Sequence, residues 1–211
     1  MKIHSEKETY TDPMGLFPRI LTRGFDIIVS AFCLLIFSPL YAYCYLKVRK
    51  EFGPHVIYKQ ERIGRGGKPF FIRKFRTMRM DAEKEGPQLC GDLDADDRLT
   101  PTGRFLRSHH LDELPQLWNV FVGDMAFVGP RPERAFYIEQ IMQHNPRYTE
   151  LYSVRPGVTS YATLYNGYTD SMEKMLRRLE LDLYYLEHRS LAMNIKILWL
   201  TFYKIVSGRK F

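Results

Sequence analysis

The sequence contains few cysteines, and their spacing matches no metal-binding or redox motif. The three residues are Cys33, Cys44 and Cys90, an odd number that nothing marks for disulfide pairing. We therefore expect the chain to work in a reducing, cytoplasmic environment. Internal repeats and long low-complexity tracts are also missing.

Acidic residues are outnumbered, with 24 Asp and Glu against 31 Lys and Arg and a net charge of +7. This balance favours an acidic partner and leaves three classes open: nucleic acid, anionic lipid head groups and phosphorylated substrates. The chain also has 14 Tyr and 14 Phe among 211 residues. Tyr and Trp rings suit a bilayer interface, although a large aromatic core gives a similar composition. The length allows one domain with a membrane-embedded appendage.

One long apolar run covers residues 25–46, where Asp26 is the only formal charge. About 20 apolar residues are enough for a helix to span a bilayer, so we predict a membrane helix here. A buried helix of a soluble core is the alternative. A cleaved signal peptide is disfavoured, because no small-x-small cleavage site follows the run.

Ser38-Pro39 lies inside this apolar run. Proline removes one backbone hydrogen bond and clashes with the carbonyl four residues back, so the helix should kink, and the Ser38 hydroxyl can satisfy a freed backbone group. Basic residues stand at both ends of the run, which is compatible with both ends lying on the cytoplasmic side. We predict a re-entrant membrane helix hairpin over residues 19–50, preceded by a tail at residues 1–18. A spanning helix with a tolerated proline is the alternative.

The remaining residues, 51–211, are expected to form a small cytoplasmic domain with a short β-hairpin. Short apolar segments at residues 56–58 and 69–75 flank a glycine-rich turn at residues 64–67. Two extended segments joined by such a turn are typical of antiparallel strands.

Helices should make up most of this domain, so the predicted fold class is α+β, mostly helical. The sequence predicts short helices from about Gly103 and from Asp112, and apolar periodicity predicts a longer helix over residues 170–188. Residues 191–206 form a C-terminal amphipathic helix whose Trp and basic residues suit the lipid head-group layer. An ordinary core-facing helix would show the same pattern.

An acidic pair, Asp112-Glu113, stands at the start of an apolar segment and two residues before Pro115. Asp is a favoured N-cap, so we expect Asp112 at a helix start, where the helix dipole lowers the pKa of a carboxyl group. An ionised Asp112 can act as a nucleophile, and Glu113 can bind Mg²⁺ that screens a diphosphate. A capping Asp followed by a Glu explains the same two residues without catalysis.

Cations on rigid turns strengthen the interpretation as a phosphate site, because a guanidinium matches phosphate oxygens and proline fixes the backbone. The candidates for substrate binding are Arg107, Arg131 between Pro130 and Pro132, Arg155, Lys74 and Arg76. His109-His110 lacks a third ligand at metal spacing, so we assign neither residue to a metal.

Taken together, these motifs resemble the bacterial sugar transferases, also called monotopic phosphoglycosyl transferases, from about Arg19 to Val206. The resemblance rests on ordered matches rather than on any single motif. They are Ser38-Pro39, Gln60-x-Arg62-x-Gly64, Lys74-Phe75-Arg76-Thr77-Met78, Thr100-Pro101-x-Gly103-Arg104-Phe105-Leu106-Arg107, Leu111-Asp112-Glu113-Leu114-Pro115-Gln116-Leu117-Trp118-Asn119-Val120, Gly123-Asp124-Met125, Val128-Gly129-Pro130-Arg131-Pro132 and Arg155-Pro156-Gly157-Val158-Thr159.

The resemblance implies a catalytic phosphoglycosyl transferase domain on the cytoplasmic face of the bacterial inner membrane. Asp112 would attack a UDP-sugar, release UMP and carry the phosphosugar until polyprenyl (undecaprenyl) phosphate accepts it, which would start glycoconjugate or exopolysaccharide assembly. Glu113 would bind Mg²⁺ and Arg131 the nucleotide, while Arg107 and Lys74 would support the acidic pair. The expected partners are these two substrates and the cytoplasmic leaflet, and no nucleic acid.

Residues 160–168 depart from the family pattern, because the arginine that usually ends this stretch is missing after Gly167. The phosphate contact there is therefore open, with Arg155 as a candidate replacement. The rival function is a non-catalytic basic protein that binds a membrane surface or nucleic acid, which would have no use for Asp112-Glu113. The sequence leaves open which UDP-sugar is used, which glycan pathway is served, and whether the chain forms a homodimer.

Overall fold

The computed structural model describes residues 12–84, 86–88, 96–167 and 169–207. Within this part of the chain the fold is mostly helical, with two small two-stranded sheets. The predicted α+β class is therefore confirmed. Most of the predicted tail at residues 1–18, together with Cys90 and Tyr168, lies outside the described residues.

A bent pair of helices opens the described chain. Helix α1 (Leu16–Ile36) and helix α2 (Ser38–Phe52) meet at an angle of 63°. The Ser38 hydroxyl donates to the carbonyl oxygen of Leu35 at 2.8 Å, and Pro39 occupies the first turn of α2, where its missing N–H costs nothing. The predicted kink is confirmed. In the described part of the chain, the two helices meet the length and composition of a membrane span only as a bent pair, and no helix does so by itself.

Helix α1 shows an inverted pattern of burial. Its two buried residues are the polar Asp26 and Ser30. Its large apolar side chains lie open instead, including Ile28 at 70%, Phe32 at 61% and Leu35 at 72% exposed. A helix at the surface of a water-soluble core buries its apolar stripe and exposes its polar face. Contacts among the described residues therefore leave the apolar face of α1 uncovered.

The predicted β-hairpin follows and is confirmed. Strand β1 (Ile57–Ile63) pairs antiparallel with strand β2 (Pro69–Phe75) through a turn at Arg65–Gly67. Gly66 and Gly67 have φ values of 72° and 70° in this turn, a region that glycine adopts without strain. The hairpin packs against α2 through a small buried cluster consisting of Cys44, Val48, Val56, Phe75 and Leu106.

The rest of the domain is a helical layer with one short parallel sheet. In chain order its elements are α3 (Pro101–Ser108), a 3-10 turn (Leu111–Glu113), α4 (Gln116–Val122), β3 (Ala126–Val128), α5 (Ala135–His144), a 3-10 segment (Pro146–Ser153), β4 (Gly157–Thr159), α6 (Tyr161–Asn166), α7 (Met172–His188) and α8 (Leu191–Val206). Strand β3 pairs in parallel with β4. The helices predicted over residues 170–188 and 191–206 are confirmed.

The largest core lies around α7. Leu179, Leu183 and Leu186 are almost completely buried and belong to one cluster with residues of α5 and α8. Burial of a Leu side chain contributes about 1.5–3 kcal/mol, so this face holds the helical layer together. Asp182 lies on the same face and is only 1% exposed, a position that its charge makes costly unless other groups satisfy it.

Candidate active site

The acidic pair lies in a tight turn rather than at the start of an α-helix. Asp112 and Glu113 occupy the 3-10 turn that follows His110, whose φ of 55° is left-handed. Helix α4 begins later, at Gln116, and has Pro115 at its N-cap position. The predicted helix start at Asp112 is therefore wrong, because the left-handed residue and the short turn delay the regular helix by four residues.

A buried asparagine brings this turn to the hairpin. Asn119 in α4 is fully buried, and its side-chain oxygen accepts from the backbone N–H of Arg73 at 3.1 Å. Its amide group donates to the carbonyl oxygen of Phe71 at 2.9 Å and to Asp124 Oδ2 at 3.0 Å. Asn119 thus pairs with the backbone of β2 as a neighbouring strand would. This contact fixes α4, and the turn before it, beside β2.

Lys74 of β2 then reaches the acidic pair directly. Its ammonium group donates to Glu113 Oε1 at 2.7 Å, and a guanidinium nitrogen of Arg131 lies 3.8 Å from the same oxygen. Both Lys74 and Glu113 expose about a fifth of their side chains. Three of the residues predicted for the site therefore meet at one partly buried position.

The two carboxyl groups have opposite pKa directions. Burial favours the neutral acid of Glu113, but the charges of Lys74 and Arg131 outweigh burial and lower its pKa to about 2. Burial raises the pKa of Asp112 above its ordinary value, and the charge of Glu113 adds to this effect, while Lys74 and Arg107 oppose it. The expectation of a lowered pKa for Asp112 is therefore wrong, because desolvation replaces the predicted helix dipole as the dominant influence.

Arg107 is held beside the pair by Thr77. Its Nε donates to Thr77 Oγ1 at 3.0 Å, and Thr77 is itself buried. A side chain at Gly103 would place its Cβ 1.9 Å from the carbonyl oxygen of Thr77, so α3 approaches this segment closely only because residue 103 is glycine. The charges of Arg107 and His110 both favour the ionised form of Asp112.

The loop that carries Arg131 is fixed by backbone contacts. Pro130 accepts from the N–H of Gly157 at 2.9 Å, and Pro132 accepts from Arg62 at 3.2 Å. A Cβ at Gly129 would lie 2.4 Å from the carbonyl oxygen of Arg155, so the two chain segments touch at this glycine. Pro130 and Pro132 therefore serve to shape the loop around Arg131.

A buried group of charges lies behind the same loop. Arg62 bonds Glu133 at 2.5 Å, and Arg178 lies 3.6 Å from the other oxygen of Glu133. The backbone N–H groups of Arg131 and Ala162 favour the ionised form of Asp182. Burial raises the pKa of Asp182 to about 7, although Arg178 and these two N–H groups oppose the shift.

Arg76 and Arg155, the other two predicted cations, have their contacts elsewhere. Arg76 donates to the carbonyl oxygen of His55 at 2.9 Å and lies over the Tyr58 ring at 5.4 Å. Burial lowers the pKa of Arg155, with Arg23 and Asp26 as its strongest charged neighbours. The structure thus brings Lys74, Arg107 and Arg131 to the acidic pair and directs Arg76 and Arg155 to other parts of the domain.

Two adjacent carboxylates are compatible with a Mg²⁺ ion that shares its coordination with a substrate. Mg²⁺ in phosphate-handling sites is commonly bound by one or two carboxylates, with substrate oxygens and water completing the shell. Among the described residues no group of three or more His, Cys, Asp or Glu side chains is placed to hold a metal by itself. Glu113 would therefore hold such an ion together with substrate oxygens and water.

Sequence reasoning missed three polar residues that organise this site, although each left a signal. Asn119 sits among apolar residues of a short helix, Asp182 lies on the apolar face of α7, and Asp26 interrupts an apolar run. A polar side chain at an apolar position requires a specific partner when it is buried. The partners themselves are distant in sequence and had no local signature.

Comparison with known proteins places this architecture in one family. The family model described as bacterial sugar transferase matches residues 17–208. The chain is 39% identical over 198 residues to a UDP-glucose:undecaprenyl-phosphate glucose-1-phosphate transferase of Escherichia coli K12, covering 92% of this chain and 42% of that protein. The chain belongs to the bacterial sugar transferase family.

Two further relatives show how the match is distributed. A UDP-N-acetylgalactosamine-undecaprenyl-phosphate N-acetylgalactosaminephosphotransferase of Aeromonas hydrophila is 34% identical over 188 residues, which cover 89% of this chain and 44% of that protein. A sugar transferase of Bacillus subtilis, described as uncharacterised, is 38% identical over 191 residues, with 89% and 88% covered. The chain thus spans less than half the length of the first two relatives and most of the third.

Proposed function

We propose that this protein transfers a sugar 1-phosphate from a UDP-sugar to polyprenyl phosphate and releases UMP. The observation that carries the proposal is the cluster of Lys74, Arg131 and Arg107 around Asp112-Glu113, in a chain of the bacterial sugar transferase family. Relatives named as UDP-sugar:undecaprenyl-phosphate transferases support the two substrate classes. The rival function, a non-catalytic basic binding protein, accounts for neither the family match nor the acidic pair.

In the proposed mechanism Asp112 is the nucleophile. One of its carboxylate oxygens attacks the β-phosphorus of the UDP-sugar, the bond from that phosphorus to the bridging oxygen breaks, and UMP leaves. An oxygen of polyprenyl phosphate then attacks the same phosphorus and returns the carboxylate. Since burial raises the pKa of Asp112, the nearby charges of Lys74 and Arg107 have the task of keeping it ionised for the first step.

Glu113 has a different task. Its lowered pKa keeps it charged throughout the neutral range, which suits a ligand for a cation rather than a proton carrier. Mg²⁺ held by Glu113 and by the diphosphate would screen the charge of the phosphate groups. Arg131 extends from a rigid loop and supplies a planar donor group for phosphate oxygens.

Asp112→Asn tests the covalent step. We expect UMP release to fall at least about 1,000-fold, since removing a nucleophile leaves only binding and electrostatic contributions. Asp81→Asn is the matched control, because Asp81 is an exposed residue with half of its side chain in solvent. Intact-mass spectrometry with donor and Mg²⁺, without acceptor, should detect a phosphosugar adduct on Asp112. Full turnover by the Asn variant, or an adduct mapped to another residue, contradicts the mechanism. A panel of UDP-sugars in nanodiscs identifies the donor.

The bent pair α1 and α2 is proposed as a re-entrant hairpin in the cytoplasmic leaflet of the bacterial inner membrane. The uncovered apolar face of α1 supports this placement, as do exposed aromatic residues on two other helices, Trp118 at 43% and Trp199 at 66% exposed. Cysteines introduced at Gly15 and Lys50, in a background without the native cysteines, test it. Both should react with an impermeant thiol reagent from the cytoplasmic side, and reaction from opposite sides would reject the re-entrant topology.

A further inference from the structure

We infer that Arg23 and Asp26, on one face of α1, are positioning residues. They hold the segment next to the acidic pair and the segment next to Arg131 in the correct relative position. This inference rests on the proposed function. Neither residue touches the acidic pair. Arg23 binds the helix that follows the acidic pair, and Asp26 binds the strand that precedes Arg131. The helix proposed to lie in the membrane therefore also supports the active site.

Arg23 holds α4, the helix that follows the turn with Asp112 and Glu113. Its two terminal nitrogens donate to the carbonyl oxygens of Val120 at 2.7 Å and Phe121 at 2.9 Å. These carbonyls belong to the last turn of α4, where a helix has unpaired acceptors and a negative dipole end. Gly123 ends the helix with a φ of 101°, and a Cβ there would lie 3.1 Å from the guanidinium. A side chain at Gly123 would therefore require a small shift of the Arg23 guanidinium.

Asp26 holds β3, the strand that precedes the loop with Arg131. Its Oδ1 accepts from the backbone N–H of Phe127 at 3.2 Å, in the middle of β3. The ring of Phe25 meets the ring of Phe127 at 6.0 Å in an edge-to-face arrangement. Strand β3 ends at Val128, and the loop that carries Arg131 follows immediately.

The two contacts converge because residues three apart lie on the same face of a helix. Arg23 binds α4, which begins three residues after Glu113, and Asp26 binds β3, which ends three residues before Arg131. Arg131 and Glu113 must meet across a gap of 3.8 Å for the site to form. Asp26 is only 1% exposed, and burial of an acid is costly unless it serves a purpose. Membrane anchoring alone requires neither this buried acid nor the two hydrogen bonds that Arg23 donates to the domain.

The experiment compares Arg23→Gln with Arg19→Gln in nanodiscs. Arg19 lies one turn earlier on the same helix, is 42% exposed at its side chain and approaches Asp12 at 3.6 Å. Both variants lose one positive charge beside the proposed membrane surface, but only Arg23→Gln releases α4. We expect kcat for UMP release to fall at least about tenfold in Arg23→Gln, with KM for the UDP-sugar within about twofold of the unmodified protein. Arg19→Gln should match the unmodified protein in both.

Arg23→Lys separates positioning from folding. Its ammonium keeps the charge and reaches only one of the two carbonyls, so we expect kcat between those of the unmodified protein and Arg23→Gln. If Arg23→Gln fails to fold, the Lys variant decides: unchanged kcat overturns the inference, and reduced kcat at unchanged KM supports it. Equal kcat for Arg23→Gln and Arg19→Gln also overturns it. An unmodified protein inactive with every donor rejects the proposed function, and the inference with it.

Discussion

Replacing Lys74 by Met is the sharpest test of how the site keeps Glu113 charged. The pKa of Glu113 lies at about 2 instead of 4.5, a difference that corresponds to roughly 3 kcal/mol of preference for the ionised form. Burial opposes ionisation, so Lys74 and Arg131 together supply more than this amount. Lys74, at 2.7 Å, is the nearer of the two, and its loss should raise the pKa of Glu113.

The sign of the stability effect follows from the direction of the shift. Because the folded pKa is lowered, the pair contributes stability that is complete above the unfolded pKa of 4.5 and is lost as pH falls toward 2. With both side chains partly exposed, we expect Lys74→Met to lower the free energy of unfolding at pH 7 by about 2 kcal/mol. For a chain of this size, that is a fall in Tm of about 4–8 °C.

Activity gives the second readout. In the unmodified protein Glu113 stays ionised over the whole range from pH 5 to 8, whereas in Lys74→Met a growing fraction should be protonated toward pH 5. Lys74 also favours the ionised form of Asp112, whose raised pKa governs the acidic limb of the kcat/KM profile. We therefore expect loss of Lys74 to move this limb upward by at least about one pH unit. Lys59→Met, at an exposed position of β1 on the same hairpin, should change stability by less than about 0.5 kcal/mol and leave the profile in place. An unchanged Tm and acidic limb in Lys74→Met would refute the assigned role.

Other predictions concern the frame of the site. Asp182 has a raised pKa of about 7, so stability should fall as pH rises from about 4 to 7. Asp182→Asn should abolish this dependence in thermal melts and raise the free energy of unfolding at pH 7 by up to about 4 kcal/mol. Gly103→Ala should displace Thr77 and lower kcat for UMP release. Its effect on the melting temperature should be small, because the substitution lies far from the main core. Leu186→Ala, in the centre of that core, should cost about 2–5 kcal/mol in denaturant unfolding. A loss below 1 kcal/mol for Leu186→Ala, or normal turnover by Gly103→Ala, would contradict these assignments.

The sequence was sufficient for features that depend on neighbouring residues. The kink at Ser38-Pro39, the hairpin around residues 64–67 and the helix over residues 172–188 each follow from local rules: a missing N–H, glycines in a turn, and apolar residues at helical spacing. The acidic pair was also visible as a pair. The series of sequence motifs on both sides of the pair indicated the family, and the family model matches residues 17–208.

Only the tertiary structure decided which of these residues meet, and in what charge state. Arg23 and Val120 are separated by 97 positions, and Lys74 and Glu113 by 39, so no local pattern links them. The pKa of Asp112 rises because surrounding segments exclude water from it, an effect that arises only when distant parts of the chain close over one carboxyl group. Spacing along the chain determined the helices, strands and turns, whereas desolvation and long-range contacts determined the site.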